Sequence, residues 1–123
     1  MTPCELLICA EDAMVNSYSP YSGFSVGAAL ITADGRVYKG CNIENSAFSP
    51  TICAERTAFF KAISEGENDF EAIAIVGKYK NGEYKRLCYP CGVCRQVMEE
   101  FCGGDFKIIL GDGKGEYEVH TLS

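Results

Sequence analysis

The segment Val26-Gly27-Ala28-Ala29-Leu30-Ile31-Thr32-Ala33-Asp34-Gly35-Arg36-Val37-Tyr38-Lys39-Gly40-Cys41 carries the organisation of this chain. Val26 to Ile31 is an unbroken apolar run, as in a strand covered on both faces. Asp34-Gly35 reads as a two-residue hairpin turn, and Val37 to Cys41 as the returning strand. A hairpin with no wet face needs helices above and below it.

The flanks supply them. Upstream, Thr2 suits a helix cap, Pro3 the first helical position and Glu5 the capping box. Leu6, Ala10, Ala13 and Met14 follow at helical spacing to about Asn16, before Ser19-Pro20-Tyr21-Ser22-Gly23 breaks the pattern. Downstream, residues 42–51 are polar and irregular. Cys53 to Glu65 is helical, with Ala54, Ala58, Phe59, Ala62 and Ile63 on one side and Gly66 as the stop. Phe70 to Val76 is apolar enough for a central strand, and residues 78–88 form a polar connection. A helix from Cys91 to about Phe101 follows Pro90 and ends at Gly103-Gly104. The short strands Phe106 to Leu110 and Glu116 to His120 are joined too tightly for a crossover and should pair antiparallel. The expectation is an α/β protein, one domain over residues 1–123, with a mixed five-stranded sheet and helices packed on it. Strand order does not follow from the pattern.

Composition narrows the function. The chain has 123 residues, 47% of them hydrophobic, so it can build a core, although oligomerisation would help one this small. Its net charge of −6 argues against a polynucleotide partner, which wants a cationic face. The densest basic group, Lys78, Lys80, Lys85 and Arg86, is interrupted by Glu83. A small uncharged ligand suits it better. Eight cysteines without a signal peptide or an apolar run of membrane-spanning length point to reduced thiols in a cytoplasmic protein, with no membrane partner.

Two fragments carry chemistry: Cys53-Ala54-Glu55 and Pro90-Cys91-Gly92-Val93-Cys94. Each is weak alone, but both open predicted helices, where the helix dipole and free N–H groups favour thiolates. Cys91 and Cys94 project from one face of a first turn, and Cys53 adds a third sulfur to one zinc ion. Three protein ligands leave a fourth position for water, as catalytic zinc sites do. Three thiolates leave the site one net negative charge, which Arg56 can offset through a ligand sulfur; an interface or surface ion pair is the alternative. Glu55, two residues from a ligand, can reach a zinc-held water and move protons. A solvated glutamate in a helix first turn is the plain alternative.

The fragments match the three-cysteine signature of zinc deaminases. With Pro20-Tyr21-Ser22-Gly23-Phe24-Ser25-Val26-Gly27-Ala28-Ala29-Leu30, Asn42-Ile43-Glu44-Asn45, Ile52-Cys53-Ala54-Glu55-Arg56 and Pro90-Cys91-Gly92-Val93-Cys94-Arg95-Gln96, the chain resembles the small tetrameric cytidine deaminases from about residue 5 to 120. That resemblance implies a three-layer α/β/α fold, one zinc per chain, a homotetramer and cytoplasmic pyrimidine salvage. It further implies hydrolysis of cytidine and deoxycytidine to uridine and deoxyuridine plus ammonia, by zinc-bound hydroxide with Glu55 as proton shuttle. By the same resemblance Phe24 packs near the nucleoside, Asn42 and Glu44 bind the ribose hydroxyls, and the Ala54 N–H meets the base carbonyl. Asn42 and Glu44, two apart on an extended segment, share one face. A carboxylate there would repel a 5′-phosphate, which favours nucleoside over nucleotide.

The chain departs from the family pattern at Phe48, usually tyrosine, at Tyr89, usually serine, and at its end, Thr121-Leu122-Ser123, where a Leu-Leu-Pro segment and a terminal aromatic are usual. A deaminase of a cytosine-bearing antibiotic is one rival. Another is a non-enzymatic metal protein, since Cys88-x-x-Cys91-x-x-Cys94 has iron–sulfur spacing and Cys88 could close a four-cysteine zinc site. Met98 stands where the cluster motif would need cysteine. A redox role for Cys91 and Cys94 lacks the preceding strand. Cys4, Cys9, Cys41, Cys88 and Cys102 read as apolar packing residues or as unused, and His120 as a surface or edge residue.

Overall fold

The computed structural model describes all 123 residues. Alternation within the apolar runs sorts side chains onto two faces of one sheet. The strands are β1 (Phe24–Thr32), β2 (Val37–Cys41), β3 (Phe70–Tyr79), β4 (Lys107–Gly111) and β5 (Tyr117–Thr121), in the spatial order β2-β1-β3-β4-β5. Neighbours are antiparallel except β3 and β4, which run parallel because the connection between them crosses over through a helix. The sheet is therefore mixed, β3 is central, and the last two strands form an antiparallel hairpin.

Helix α1 (Pro3–Ala13) opens with the expected reciprocal capping of Thr2 and Glu5 and runs on into a 3₁₀ turn, Met14–Asn16. It lies on the face made by Ala29, Ile31, Ala72, Ala74, Val76 and Ile109, where Leu6 and Ala10 are buried. The alanines on that face let the helix sit close. Helices α2 (Ala54–Ser64) and α3 (Gly92–Phe101) share the opposite face. There Ala58, Phe59, Ala62, Cys94 and Met98 pack on Ala28, Leu30, Ile73, Ile75, Ile108 and Leu110. Phe59 contacts Phe70 and Phe106 at ring distances of 5.2 and 5.9 Å. The three layers are thus one helix, the sheet, and two helices.

Two details differ from the sequence-based expectation. The hairpin loop has three residues, Ala33-Asp34-Gly35, because Thr32 pairs with Arg36 through a 2.9 Å bond from its N–H. Of the three only Gly35 has positive φ, at 92°, so the turn is type I followed by a left-handed residue; a type I′ turn would need positive φ at two positions. Strand β3 also runs to Tyr79, into the expected polar connection, because Lys78 and Tyr79 ladder with Ser25 and Phe24 on β1. Backbone pairing there overrides side-chain polarity.

Two glycines set the layer spacing. A Cβ on Gly27 would fall 1.9 Å from the Ala10 carbonyl oxygen of α1. One on Gly40 would fall 2.5 Å from both the Ala54 oxygen and the Ala58 nitrogen of α2. Overpacking of this kind costs about 1–3 kcal/mol or more. Gly27→Ala and Gly40→Ala should each lower stability by at least that much in urea unfolding. Only Gly40→Ala, which pushes on the residue after Cys53, should also weaken metal retention in a dialysis assay.

Candidate functional site

Three cysteines from two helix starts converge at one end of the two-helix layer. Cys53 caps α2 in an extended conformation, and Cys91 caps α3 in the same way. The loop before Cys53 is closed by paired bonds between Ile43 and Ile52, of 3.0 and 2.9 Å, which return the chain beside β2. Cys94 lies in the first turn of α3, its N–H directed at the Cys91 sulfur at 3.4 Å. The Cys53 and Cys91 sulfurs are 3.6 Å apart and those of Cys91 and Cys94 3.2 Å, and all three lie within 4.8 Å of one another. A tetrahedral zinc with bonds of about 2.3 Å sets its sulfurs about 3.8 Å apart, so the spacing fits one ion.

The surroundings of Cys53 favour a negative sulfur. Arg56 points a guanidinium N–H at the Cys53 sulfur, at 3.4 Å. The Cys53 thiol is held well below its ordinary pKa, first by the neighbouring Cys94 thiol and then, against the opposing effect of burial, by Arg56 and Cys91. The buried Nε of Arg56 has no hydrogen-bond partner of its own.

Glu55 is 5% exposed, in the first turn of α2 beside the sulfurs. Burial lifts its carboxyl to a pKa of about 7, and the Cys53 charge pushes the same way against the backbone N–H that holds the carboxylate. Cys53 makes no side-chain cap bond, so the N–H groups that open α2 at Ala54 are available to an acceptor.

Asn42, Glu44 and Phe24 come together beside the loop of residues 17–25, but two of them are already engaged. Asn42 is buried; its Oδ1 accepts from the Val26 N–H at 2.9 Å and the Ser17 hydroxyl at 2.5 Å. Its Nδ2 donates to the Phe24 carbonyl at 2.8 Å, so the amide replaces a missing strand partner at the start of β1 and keeps one N–H free. Glu44 accepts from the Tyr21 and Ser22 N–H groups, at 3.0 and 3.1 Å, and from the Ser22 hydroxyl. Burial alone would raise its pKa, but these bonds outweigh burial and leave it below the ordinary carboxylate value. Phe24 packs on Tyr79 with ring centroids 4.8 Å apart. Ser17 and Ser22 were missed by sequence reasoning; their one signal is the serine-rich turn facing an Asn-x-Glu pair.

A family model for the cytidine and deoxycytidylate deaminase zinc-binding region matches residues 2–110. The chain belongs to this family. It is therefore a zinc-dependent deaminase, a hydrolase, and the sulfur cluster suits its metal. The chain is 48% identical over 119 residues to a cytidine deaminase of Sporosarcina psychrophila, covering 97% of this chain and 84% of that one. It is 50% identical over 114 residues to a cytidine deaminase of Halalkalibacterium halodurans, covering 93% and 83%. A crystal structure of cytidine deaminase from Burkholderia pseudomallei superposes with a TM-score of 0.90 at 41% identity, covering 99% of this deaminase and 94% of that chain.

The alternative metal sites are not assembled. Cys88 is buried in the core on the α2 and α3 face, outside the three-sulfur group, and burial pushes its thiol up to about 12. The iron–sulfur run therefore lacks Cys88 as well as a cysteine at Met98, and a four-cysteine zinc site lacks its fourth sulfur. All eight cysteines are free thiols. His120 pairs with Glu118 at 3.0 Å on β5, and its ring lies tilted by 60° against that of Tyr89. Phe48 is 82% exposed, with φ of 57°.

Elemental analysis should find one zinc per chain. It should be lost in Cys53→Ala, Cys91→Ala and Cys94→Ala and kept in Cys88→Ala. Arg56→Gln should weaken zinc affinity about 10–100-fold in a chelator competition, the usual effect of removing a group that braces a metal ligand.

Proposed function

We propose that this deaminase hydrolyses cytidine and deoxycytidine at C4 of the base, yielding uridine or deoxyuridine and ammonia. The observation that carries this is the buried Glu55 carboxyl, on the same helix turn as one of three convergent sulfurs. The names of the relatives at 48% and 50% identity support the same substrate.

When held by Cys53, Cys91 and Cys94, zinc supplies Lewis-acid activation of water near neutral pH. Glu55 then acts as the base that takes the proton of the attacking water. It next serves as the acid that delivers protons to the ring nitrogen and to the departing amino group. Its burial excludes competing solvent protons. Arg56 draws charge from the Cys53 sulfur, which keeps the electron-rich ligand set from quenching the metal. The N–H at Ala54 donates to the base carbonyl, Phe24 lines the base, the free Asn42 N–H donates to a sugar hydroxyl and the Glu44 carboxylate accepts from one. A carboxylate at that position also disfavours a 5′-phosphate, so the substrate is the nucleoside.

The acidic surface, with a net charge of −6, supports a small-molecule substrate and no nucleic-acid partner. No helix is long and apolar enough to cross a membrane. We place the reaction in cytoplasmic pyrimidine salvage. A homotetramer accords with the apolar side chains left at the surface, among them Ile8, Val15, Phe48 and Phe60.

Glu55→Gln should keep one zinc per chain and lose about 10²–10⁴-fold in cytidine-to-uridine turnover followed by absorbance. Full activity in that variant would remove Glu55 from the mechanism. A panel including cytosine-bearing antibiotics should show cytidine as the better substrate.

A further inference from the structure

Ser22 stands between the two parts of the site that are expected to hold the two halves of a nucleoside. Its hydroxyl donates to Glu44 and accepts from the Phe24 N–H at 3.1 Å. The same carboxylate takes the Tyr21 and Ser22 N–H groups on its Oε1, at 3.0 and 3.1 Å, which uses both lone pairs of that oxygen. Oε2 holds only the Ser22 hydroxyl, so one lone pair on it stays open. The direction of that lone pair is therefore set by Ser22.

At its other end Ser22 is bonded to the backbone of Phe24, whose ring is fixed against Tyr79. One hydroxyl thus joins the carboxylate to the residue that carries the aromatic ring. Ser22 is itself exposed, while Glu44 is half-buried, so the hydroxyl contributes little to the core.

We propose that Ser22 is a positioning residue, which aims the Glu44 carboxylate at one sugar hydroxyl and fixes its distance from the Phe24 ring. This rests on the reading that Glu44 binds a sugar hydroxyl. Without the Ser22 hydroxyl the carboxylate keeps its backbone bonds but can rotate about them. Binding of the sugar then weakens, while the chemistry at C4 is untouched.

The test is steady-state kinetics of the parent, Ser22→Ala, Ser22→Thr and Glu44→Gln on cytidine and on its 2′-deoxy and 3′-deoxy analogues, with zinc content and melting temperature of each. Ser22→Ala should raise KM for cytidine about tenfold, with kcat within about twofold. Ser22→Thr, which keeps the hydroxyl, should restore the parent KM. On the analogue that lacks the hydroxyl held by Glu44, the penalties of Ser22→Ala and Glu44→Gln should vanish together. If the Glu44→Gln penalty vanishes on one analogue and that of Ser22→Ala does not, Ser22 does not aim Glu44, and the sugar reading survives. If both penalties persist on both analogues, Glu44 does not hold the sugar and the proposal falls with that reading. An unchanged KM in Ser22→Ala overturns the proposal outright.

Discussion

The site depends on how closely α2 lies against β2. At Gly40 no side chain separates the two backbones, and the gap is too small for a single methyl group. This contact seats the first turn of α2, and with it Cys53, Glu55 and the N–H groups at Ala54. On the other side of the sheet, Gly27 brings α1 into similar contact. The sheet is thereby gripped from both faces, and its core strands β1, β3 and β4 are buried along most of their length. A side chain held by such packing needs little reorganisation when a ligand arrives.

Charge is arranged around the same point. Three cysteine sulfurs, two helix N-termini and one guanidinium meet within a small volume. Glu55 is brought beside them but kept from water, so its proton affinity is set by burial and the sulfurs and not by solvent. The polar side chains of the segment after β2 show the opposite economy. Asn42 and Glu44 first complete the backbone of the loop of residues 17–25, and only their remaining valences face outward.

Much of this was legible in the residues. Cysteines at two helix starts, with an acid in the same first turn as one of them, stand out in short fragments, so the gathering of Cys53, Cys91 and Cys94 beside Glu55 could be anticipated from Cys53-Ala54-Glu55 and Cys91-Gly92-Val93-Cys94. The apolar runs likewise give the strands, and the length of the last connection gives the final hairpin. The misses share a cause: they are settled by partners distant in sequence. Asp34-Gly35 fits two kinds of turn, and only the pairing of Thr32 with Arg36 separates them. Lys78 and Tyr79 look like loop until β1 supplies their ladder. Ser17 and Ser22 are ordinary turn serines until Asn42 and Glu44 arrive from beyond the hairpin.

The parallel pairing of β3 with β4 requires α3 to cross from one strand to the next, and that crossover delivers Cys91 and Cys94. Cys53, by contrast, follows the local β1–β2 hairpin across the loop of residues 42–52. The three sulfurs are therefore divided between a part of the chain with short-range pairing and a part brought in by a long-range parallel pairing. Zinc finds its full complement of sulfurs only in a chain that has completed the crossover, and binding energy accrues to that state alone. An ion held by all three sulfurs would in this way act as a lock on the topology.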